Sequence, residues 1–239
     1  MDTLEALIGE THAHTSRDFE SELRELRANL LGMAARCERI VQLAIRAFVE
    51  GSAASTAEVK GLDRLIDRDE VETDHLALKI LALRQPVAHD LRVITTALKL
   101  VTDLERIGDE AVNIAERAEE IEDESKRAPT PHLEEMADLT LEMLRDALDA
   151  FGNAETARAE RVRSADDAVD ELYARSLRET TDFIAKHPDR ALDGVRVIRV
   201  AKYLERIADH ATNIAEAVIF MAVVQDVRHR TDPPPSGSP

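Results

Sequence analysis

Residues 104–116 read LERIGDEAVNIAE and residues 204–216 read LERIADHATNIAE, and the two strings are identical at ten of thirteen positions. They are offset by 100 residues, so the chain contains an internal repeat. Around the first string, from 87 to 124, apolar residues recur every three or four positions on two neighbouring lines. This is the period of an α-helix that packs between two partners. The repeat therefore predicts two similar helical halves.

Helix-breaking residues divide the chain into six segments. Proline, and clustered glycine and serine, interrupt it at 51–56, 86, 129–131, 152–153, 188 and 233–239. The helical segments between them are roughly 17–50, 56–83, 87–124, 131–151, 158–186 and 190–229. Start signals agree, because Ser55 precedes Glu58 as in a capping box, Pro131 suits a first helical turn and Asp189 can cap the last helix.

The predicted fold is all-α, with six long helices that form two tandem, pseudo-symmetric three-helix bundles. The first bundle is expected over 16–125 and the second over 130–229. Residues 1–15 are expected to be a disordered N-terminal extension, and residues 230–239 a disordered Pro-rich tail.

Composition excludes several classes of protein. With 31 Lys and Arg against 48 Asp and Glu, the formal charge of −17 predicts repulsion from nucleic acid and from anionic lipid. The single cysteine, Cys37, cannot form an internal disulfide. No apolar run approaches the roughly 20 residues of a membrane span, and the N-terminus does not resemble a signal peptide. We therefore expect a cytoplasmic protein without membrane insertion that binds no nucleic acid.

Acidic residues form the candidate functional site. Each half carries two pairs of acids spaced four residues apart, which places both acids of a pair on one helix face, about 6 Å apart along the axis. The first half contributes Asp63, Asp67, Glu105 and Asp109. The second half contributes Asp166, Asp170, Glu205 and Asp209.

The spacing of these pairs about the proline turns predicts that they meet in space. Asp63 and Asp109 each lie 23 residues from Pro86, and Asp67 and Glu105 each lie 19 residues from it. The second set is centred in the same way between His187 and Pro188. If each turn joins two antiparallel helices, four carboxylates reach one level in each half.

Such a group of carboxylates is a candidate metal site, because hard cations prefer oxygen ligands. Further oxygen ligands are available from Asn113, Asn213, Glu116 and Glu216. The alternative is that the acids are solvated surface charges, neutralised by Arg64, Arg68, Arg106 and Arg206 in ion pairs of small energetic value. The repeated Asn-Ile-Ala-Glu string can equally be a packing motif in which Ala115 and Ala215 permit close helix approach.

At these residues the chain resembles the PhoU family, whose members carry duplicated three-helix bundles, paired E(D)xxxD motifs and the LERI-x-D and NIAE strings. The resemblance covers about residues 17–229. It implies a non-enzymatic, usually homodimeric negative regulator of phosphate uptake and phosphate-starvation signalling. The implied partners are the ATPase of a phosphate ABC transporter and a phosphate-sensor histidine kinase. The family binds multinuclear metal clusters, here of iron, zinc, manganese or magnesium, at positions that match the eight acids named above.

Two other functions are compatible with an all-helical chain. A di-iron carboxylate enzyme needs a Glu-x-x-His motif on each of two helices, but only Glu72 to His75 fits, because Gly108 and Ala208 stand three residues after the site glutamates. His210 is a possible ligand with no counterpart in the first half. A metal-free helical adaptor is the stronger alternative. His12 and His14 are potential chelators to which no role is assigned.

Overall fold

The computed structural model describes the backbone of residues 2–121 and 131–229, and the side chains of 17–52, 55–87, 90–121 and 132–222. Within these residues the chain is all-α, and the predicted six long helices are confirmed. They are α1 (Asp2–Glu50), α2 (Ala53–Arg84), α3 (Ala88–Glu119), α4 (Pro131–Asn153), α5 (Thr156–Lys186) and α6 (Ala191–His229), with a 3-10 turn at Pro188–Arg190 before α6.

The helices form two three-helix bundles. Helices α1, α2 and α3 contact one another, and α4, α5 and α6 do the same. The bundles join mainly where α3 packs on α6, with a smaller contact between α1 and α4. Helix α3 therefore lies between partners on two sides, as its two apolar faces predict.

The turns fall where the prolines stand. Helix α2 ends because Gln85 adopts a left-handed conformation with φ of 47°, and Pro86 follows it. The N-cap of α2 is Ser52, whose Oγ accepts a hydrogen bond from the Ser55 amide at 3.4 Å. The cap predicted at Ser55 is therefore displaced by one turn, because Gly51, with φ of 69°, lets the chain turn earlier.

Two other predicted boundaries differ from the structure. Asp189 lies in the 3-10 turn and α6 begins after it, because the proline at 188 starts a tighter turn first. Helix α1 begins at Asp2, so the backbone of the N-terminal segment predicted to be disordered is helical. That segment contains no proline and one glycine, so nothing in it stops the helix. The side chains of His12 and His14, and the predicted tail at 230–239, lie outside the described residues.

The core is built from aliphatic side chains of all six helices. Met33, Ile66 and Ile107 are fully buried in the first bundle, and Met136 and Ile207 in the second. Cys37 is buried among them, and its thiol donates to the Leu104 carbonyl at 3.1 Å. Burial raises the pKa of this thiol, so Cys37 is an inert core residue.

Polar contacts across the α3–α6 seam show that these two helices run antiparallel. Glu110 of α3 meets Arg206 of α6 at 3.0 Å, and Glu120, further along α3, meets Arg196, earlier on α6, at 3.3 Å. The two repeated strings therefore lie side by side in opposite directions near the middle of the molecule. This arrangement brings both sets of site acids to nearly the same height.

Candidate metal centre

The first carboxylate cluster lies between α2 and α3. We define it as Asp63, Asp67, Glu105 and Asp109. The backbones approach closely here, because a Cβ placed on Gly108 would lie 3.3 Å from Cδ1 of Ile66 and 3.9 Å from Oδ1 of Asp63. The glycine in the repeated string thus lets α3 sit against the Asp63 side of α2.

Two acids of the first cluster, Asp63 and Glu105, have raised pKa values, and other acids of the cluster contribute to both. Burial, followed by the charges of Asp67 and Asp109, raises the pKa of Asp63, while Arg64 opposes this shift. Burial and then the charge of Asp109 raise the pKa of Glu105 to about 6. Asp109 of α3 therefore lies close enough to Asp63 of α2, and to Glu105 on its own helix, to raise the pKa of each.

Glu70 is a fifth acid at the first cluster that the sequence analysis did not identify. Burial, followed by the charges of Asp74 and Asp67, raises the pKa of Glu70, and Asp109 of α3 adds to the shift. Glu70 stands three residues after Asp67, a spacing that also keeps two residues on one helix face. A search for three-residue as well as four-residue spacing would have found it, but the second half offers no acid at the matching position.

The second carboxylate cluster lies between α5 and α6. We define it as Asp166, Asp170, Glu205 and Asp209. Burial, then the charges of Asp166 and Glu205, raises the pKa of Asp170. Burial, then Glu205 and Asp166, does the same for Asp209. Each raised pKa has acids of both helices among its causes, so Asp170 of α5 lies near Glu205 of α6, and Asp209 of α6 lies near Asp166 of α5.

Local contacts hold parts of the second cluster in place. Thr212 Oγ1 donates to Oδ1 of Asp166 at 3.1 Å, which ties α6 to α5 at the site. Lys202 Nζ donates to both carboxylate oxygens of Glu205, at 2.6 and 2.5 Å. Lys202 is a residue that the sequence analysis passed over, because it lies outside the repeated string.

Two of the four arginines expected to neutralise the acids are engaged elsewhere. Arg68 pairs with Glu72 at 3.5 Å, and Arg206 pairs with Glu110 across the seam. Arg106 approaches Glu105 and Asp109 at 3.5 and 3.7 Å, but its side chain is 58% exposed. An exposed pair of this kind contributes about 0 to 1 kcal/mol. The first cluster therefore keeps most of its mutual repulsion.

The chemistry of both clusters suits a hard cation. All the donors are carboxylate oxygens, and bound positive charge would relieve the repulsion that raises their pKa values. Among the side chains that the structure describes, no three His, Cys, Asp or Glu residues already stand in metal-binding geometry. Cation binding would require these side chains to change rotamer, while the helices already place them together.

The additional ligands suggested by the sequence lie away from the clusters. Asn113 donates to Glu110 at 3.2 Å and Asn213 to Asp103 at 3.2 Å, so both belong to the α3–α6 seam. His210 contacts the same Asp103 at 2.9 Å.

The remaining acids of the repeated strings are occupied by arginines. Glu116 pairs with Arg117 at 3.2 Å and Glu216 with Arg163 at 3.6 Å. The Glu72 to His75 pair of the enzyme alternative is exposed on α2, where a bundle-core di-iron site could not form. In the described part of the chain, no helix is both long and apolar enough to span a membrane.

Comparison with known proteins gives a consistent family. A family model described as the PhoU domain matches twice, at residues 30–118 and 133–218. A phosphate-specific transport system accessory protein PhoU homolog of Pseudomonas putida is 39% identical over 221 residues, which cover 92% of this chain and 86% of the relative. The homolog of the same name from Pseudomonas aeruginosa is 37% identical over 92% of this chain and 90% of its own.

Solved structures agree. The crystal structure of PhoU from Pseudomonas aeruginosa superposes with a TM-score of 0.82 at 36% identity, covering 86% of this chain and 99% of the other. The phosphate transport system regulatory protein PhoU from Streptococcus pneumoniae superposes with a TM-score of 0.78 at 26% identity, covering 85% and 96%.

Proposed function

Because the chain belongs to the PhoU family, we propose that it is a non-enzymatic regulator of phosphate uptake and of phosphate-starvation signalling. The observation that carries this proposal is the double match of the PhoU domain, which places one domain on each bundle. The relatives named above are accessory proteins of phosphate-specific transport systems, and this chain covers most of their length.

The regulator acts by contact with other proteins. We propose that its partners are the ATPase of a phosphate ABC transporter and a phosphate-sensor histidine kinase, and that it represses starvation genes when phosphate is plentiful. The formal charge of −17 supports action through proteins, since a polyanion is repelled by DNA. We further propose that the protein is a cytoplasmic homodimer, as the family resemblance implies.

Each carboxylate cluster binds metal ions. Asp63, Asp67, Glu105 and Asp109 would hold one group of cations, and the four acids of the second cluster another. A bound iron, manganese, zinc or magnesium ion would supply positive charge that neutralises these acids. Each cluster takes two acids from each of two helices, so a bound cation would link α2 to α3 or α5 to α6. Support comes from the all-oxygen donor set and from the raised pKa values of Glu105 and Asp209.

A deletion strain carrying a phosphate-starvation reporter tests the regulatory function. Loss of the gene should switch the reporter on in phosphate-rich medium, and the wild-type gene on a plasmid should switch it off. Purified transporter ATPase and sensor kinase should each retain the protein in a pull-down. A reporter that stays off in the deletion strain would contradict the proposal.

A further inference from the structure

We propose that the two carboxylate clusters are unequal cation sites, because Lys202 is a tethered cation hydrogen-bonded to both carboxylate oxygens of Glu205 in the second cluster, whereas Arg106 at the first cluster is 58% exposed and makes longer contacts. This inference rests on the proposed metal binding. It concerns the order and strength of loading, and it names Lys202 as the residue that sets them.

Lys202 occupies the oxygens that an incoming metal ion would need. Its ammonium group donates to both Oε1 and Oε2 of Glu205, whose side chain is only 15% exposed. The ammonium also lies 5.4 Å from the centre of the Tyr173 ring, a distance suited to a cation–π contact. These contacts hold the positive charge at the second cluster, where it acts to lower the pKa values of both Asp170 and Asp209 against burial and the neighbouring acids, which raise them.

The first cluster differs at both positions. The repeat offset of 100 places Thr102 where the second half has Lys202. Thr102 donates to the Leu98 carbonyl of its own helix at 3.2 Å and supplies no charge. The acid pairs on α2 and α5 are offset by 103, and this places Glu70 where the second half has Tyr173. Where the second cluster has a lysine over an aromatic ring, the first cluster therefore has an uncharged threonine and a fifth carboxylate.

Other charged residues beside the two clusters favour the opposite order of affinity, but they act weakly. Arg64 and Arg106 stand beside the first cluster, whereas Asp167 takes the position of Arg64 in the second and Arg206, the counterpart of Arg106, pairs with Glu110. The side chains of Arg64, Arg106 and Asp167 are exposed, so water and salt screen them. The direct contact of Lys202 with Glu205 therefore outweighs them, since a bidentate hydrogen bond between charged groups is stronger than a screened charge.

The consequence is an order of filling. A cation entering the first cluster meets the exposed Arg106, which lies 3.5 Å from Glu105 and 3.7 Å from Asp109, whereas one entering the second must displace Lys202 from both Glu205 oxygens. The first cluster should bind more tightly, and the second should fill at higher concentration. The protein would then load its two halves at different metal concentrations.

Titration of the full-length, chelator-treated protein with Mn²⁺ tests this proposal, with free Mn²⁺ followed by its EPR signal. The second cluster is isolated by Asp63→Ala with Asp109→Ala, and the first by Asp166→Ala with Asp209→Ala. In the Asp63→Ala, Asp109→Ala variant, which retains only the second cluster, Lys202→Met keeps an apolar side chain over Tyr173 and removes the positive charge. It should tighten binding by roughly tenfold, the factor that one hydrogen bond between charged groups is worth.

The reciprocal change provides an independent arm. In the Asp166→Ala, Asp209→Ala variant, which retains only the first cluster, Thr102→Lys should weaken Mn²⁺ binding by roughly tenfold. Lys186→Met, which removes one exposed lysine at the far end of α5, is the matched control for net charge and should leave the affinity within about twofold, because a distant exposed charge is screened. Lys202→Arg retains the cation and should not tighten binding.

The outcomes separate this inference from the function on which it rests. If Mn²⁺ binds but Lys202→Met and Lys186→Met give the same affinity, the tethered-cation proposal is overturned while metal binding stands. If the wild-type protein binds no Mn²⁺, both are overturned. Circular dichroism of the Lys202 and Lys186 variants should match wild type, since Lys202 is partly exposed and Lys186 is exposed.

Discussion

The guanidinium of Arg206 in α6 lies 3.0 Å from the carboxylate of Glu110 in α3, which makes this pair a direct link between the two bundles. Glu110 is buried, with 8% exposure, and it also accepts a hydrogen bond from Asn113 at 3.2 Å. Contact with Glu110 raises the pKa of Arg206, in agreement with a favourable pair. The charge of the buried Glu110 carboxylate in the first bundle is thus balanced by Arg206 of the second bundle.

Removal of this cation should weaken the whole protein. Arg206→Ala leaves Glu110 buried with one partner, so we expect a loss of about 1 to 2 kcal/mol in the free energy of unfolding. Urea denaturation followed by circular dichroism measures it. The control is Arg68→Ala, which breaks an exposed pair within α2 and should change stability by no more than about 0.5 kcal/mol. Equal losses of stability in the two variants would show that the pair between Arg206 and Glu110 contributes no more than an exposed ion pair.

Gly194 is required by close packing in the second hairpin. A Cβ at this position would lie 2.5 Å from Cγ1 and 2.8 Å from Cδ1 of Ile184. Gly194→Ala should therefore cost about 1 to 3 kcal/mol, since Ile184 must move within a packed region.

The matched control for Gly194 is Gly61→Ala, where a Cβ meets nothing within 4 Å. It should stabilise α2 by about 0.5 to 1 kcal/mol, because alanine is the better helix former. Thermal melts of the two variants should therefore shift in opposite directions. Two shifts of the same sign would contradict the packing described at Ile184.

The pH dependence of the metal-free protein should reveal the repulsion in the first cluster. The pKa of Glu105 rises from an ordinary value of 4.5 to about 6 in the folded chain. The folded state therefore binds more protons than the unfolded state between these values, so stability falls as pH rises through this window. Burial and the charge of Asp109 both disfavour the ionised Glu105 in the folded chain, and this penalty is fully present above about pH 6 and is lost below about pH 4.5.

Glu105→Gln removes the ionised carboxylate and isolates this effect. At pH 7 the variant should be more stable than wild type by about 1 kcal/mol, a value reduced from the full shift because the site is partly solvated. The gain should shrink toward pH 4.5. Denaturation at several pH values in the presence of a chelator measures the difference. A variant less stable than wild type at pH 7 would argue against uncompensated charge at Glu105.

The sequence predicted the helical hairpins because proline and the repeat act locally. Pro86 and Pro188 each end a helix wherever the rest of the chain lies, so both turns fall where the sequence predicts them. The helix start at Ser52 was missed by one turn, since Ser52 and Ser55 are both good caps and the backbone turn at Gly51 decides between them. Disorder of residues 1–15 was inferred from composition, which does not show whether a neighbouring helix continues.

Contacts between the bundles could not be predicted in the same way. Asn113, Asn213 and His210 are on the repeated strings and were predicted as possible further ligands of the metal site, yet they face the α3–α6 seam. Their direction depends on the rotation of α3 and of α6 about their axes, which is set by the packing of these two helices on each other rather than by the hairpins. Lys202 and Glu70 were missed because they differ between the halves, whereas the search was for features that repeat.

The metal content of purified protein tests the central claim most directly, that the duplicated hairpins build two cation sites. Protein purified without chelator and then incubated with iron, manganese, zinc or magnesium should carry bound metal by elemental analysis. Asp109→Ala combined with Asp209→Ala should lower this content while helix content stays nearly unchanged, because alanine favours helix and both acids are at least partly exposed. The control Asp18→Ala with Asp182→Ala removes two exposed acids outside the clusters and should retain the full content. Full metal content in the Asp109/Asp209 variant, or no bound metal in the wild type, would contradict the account.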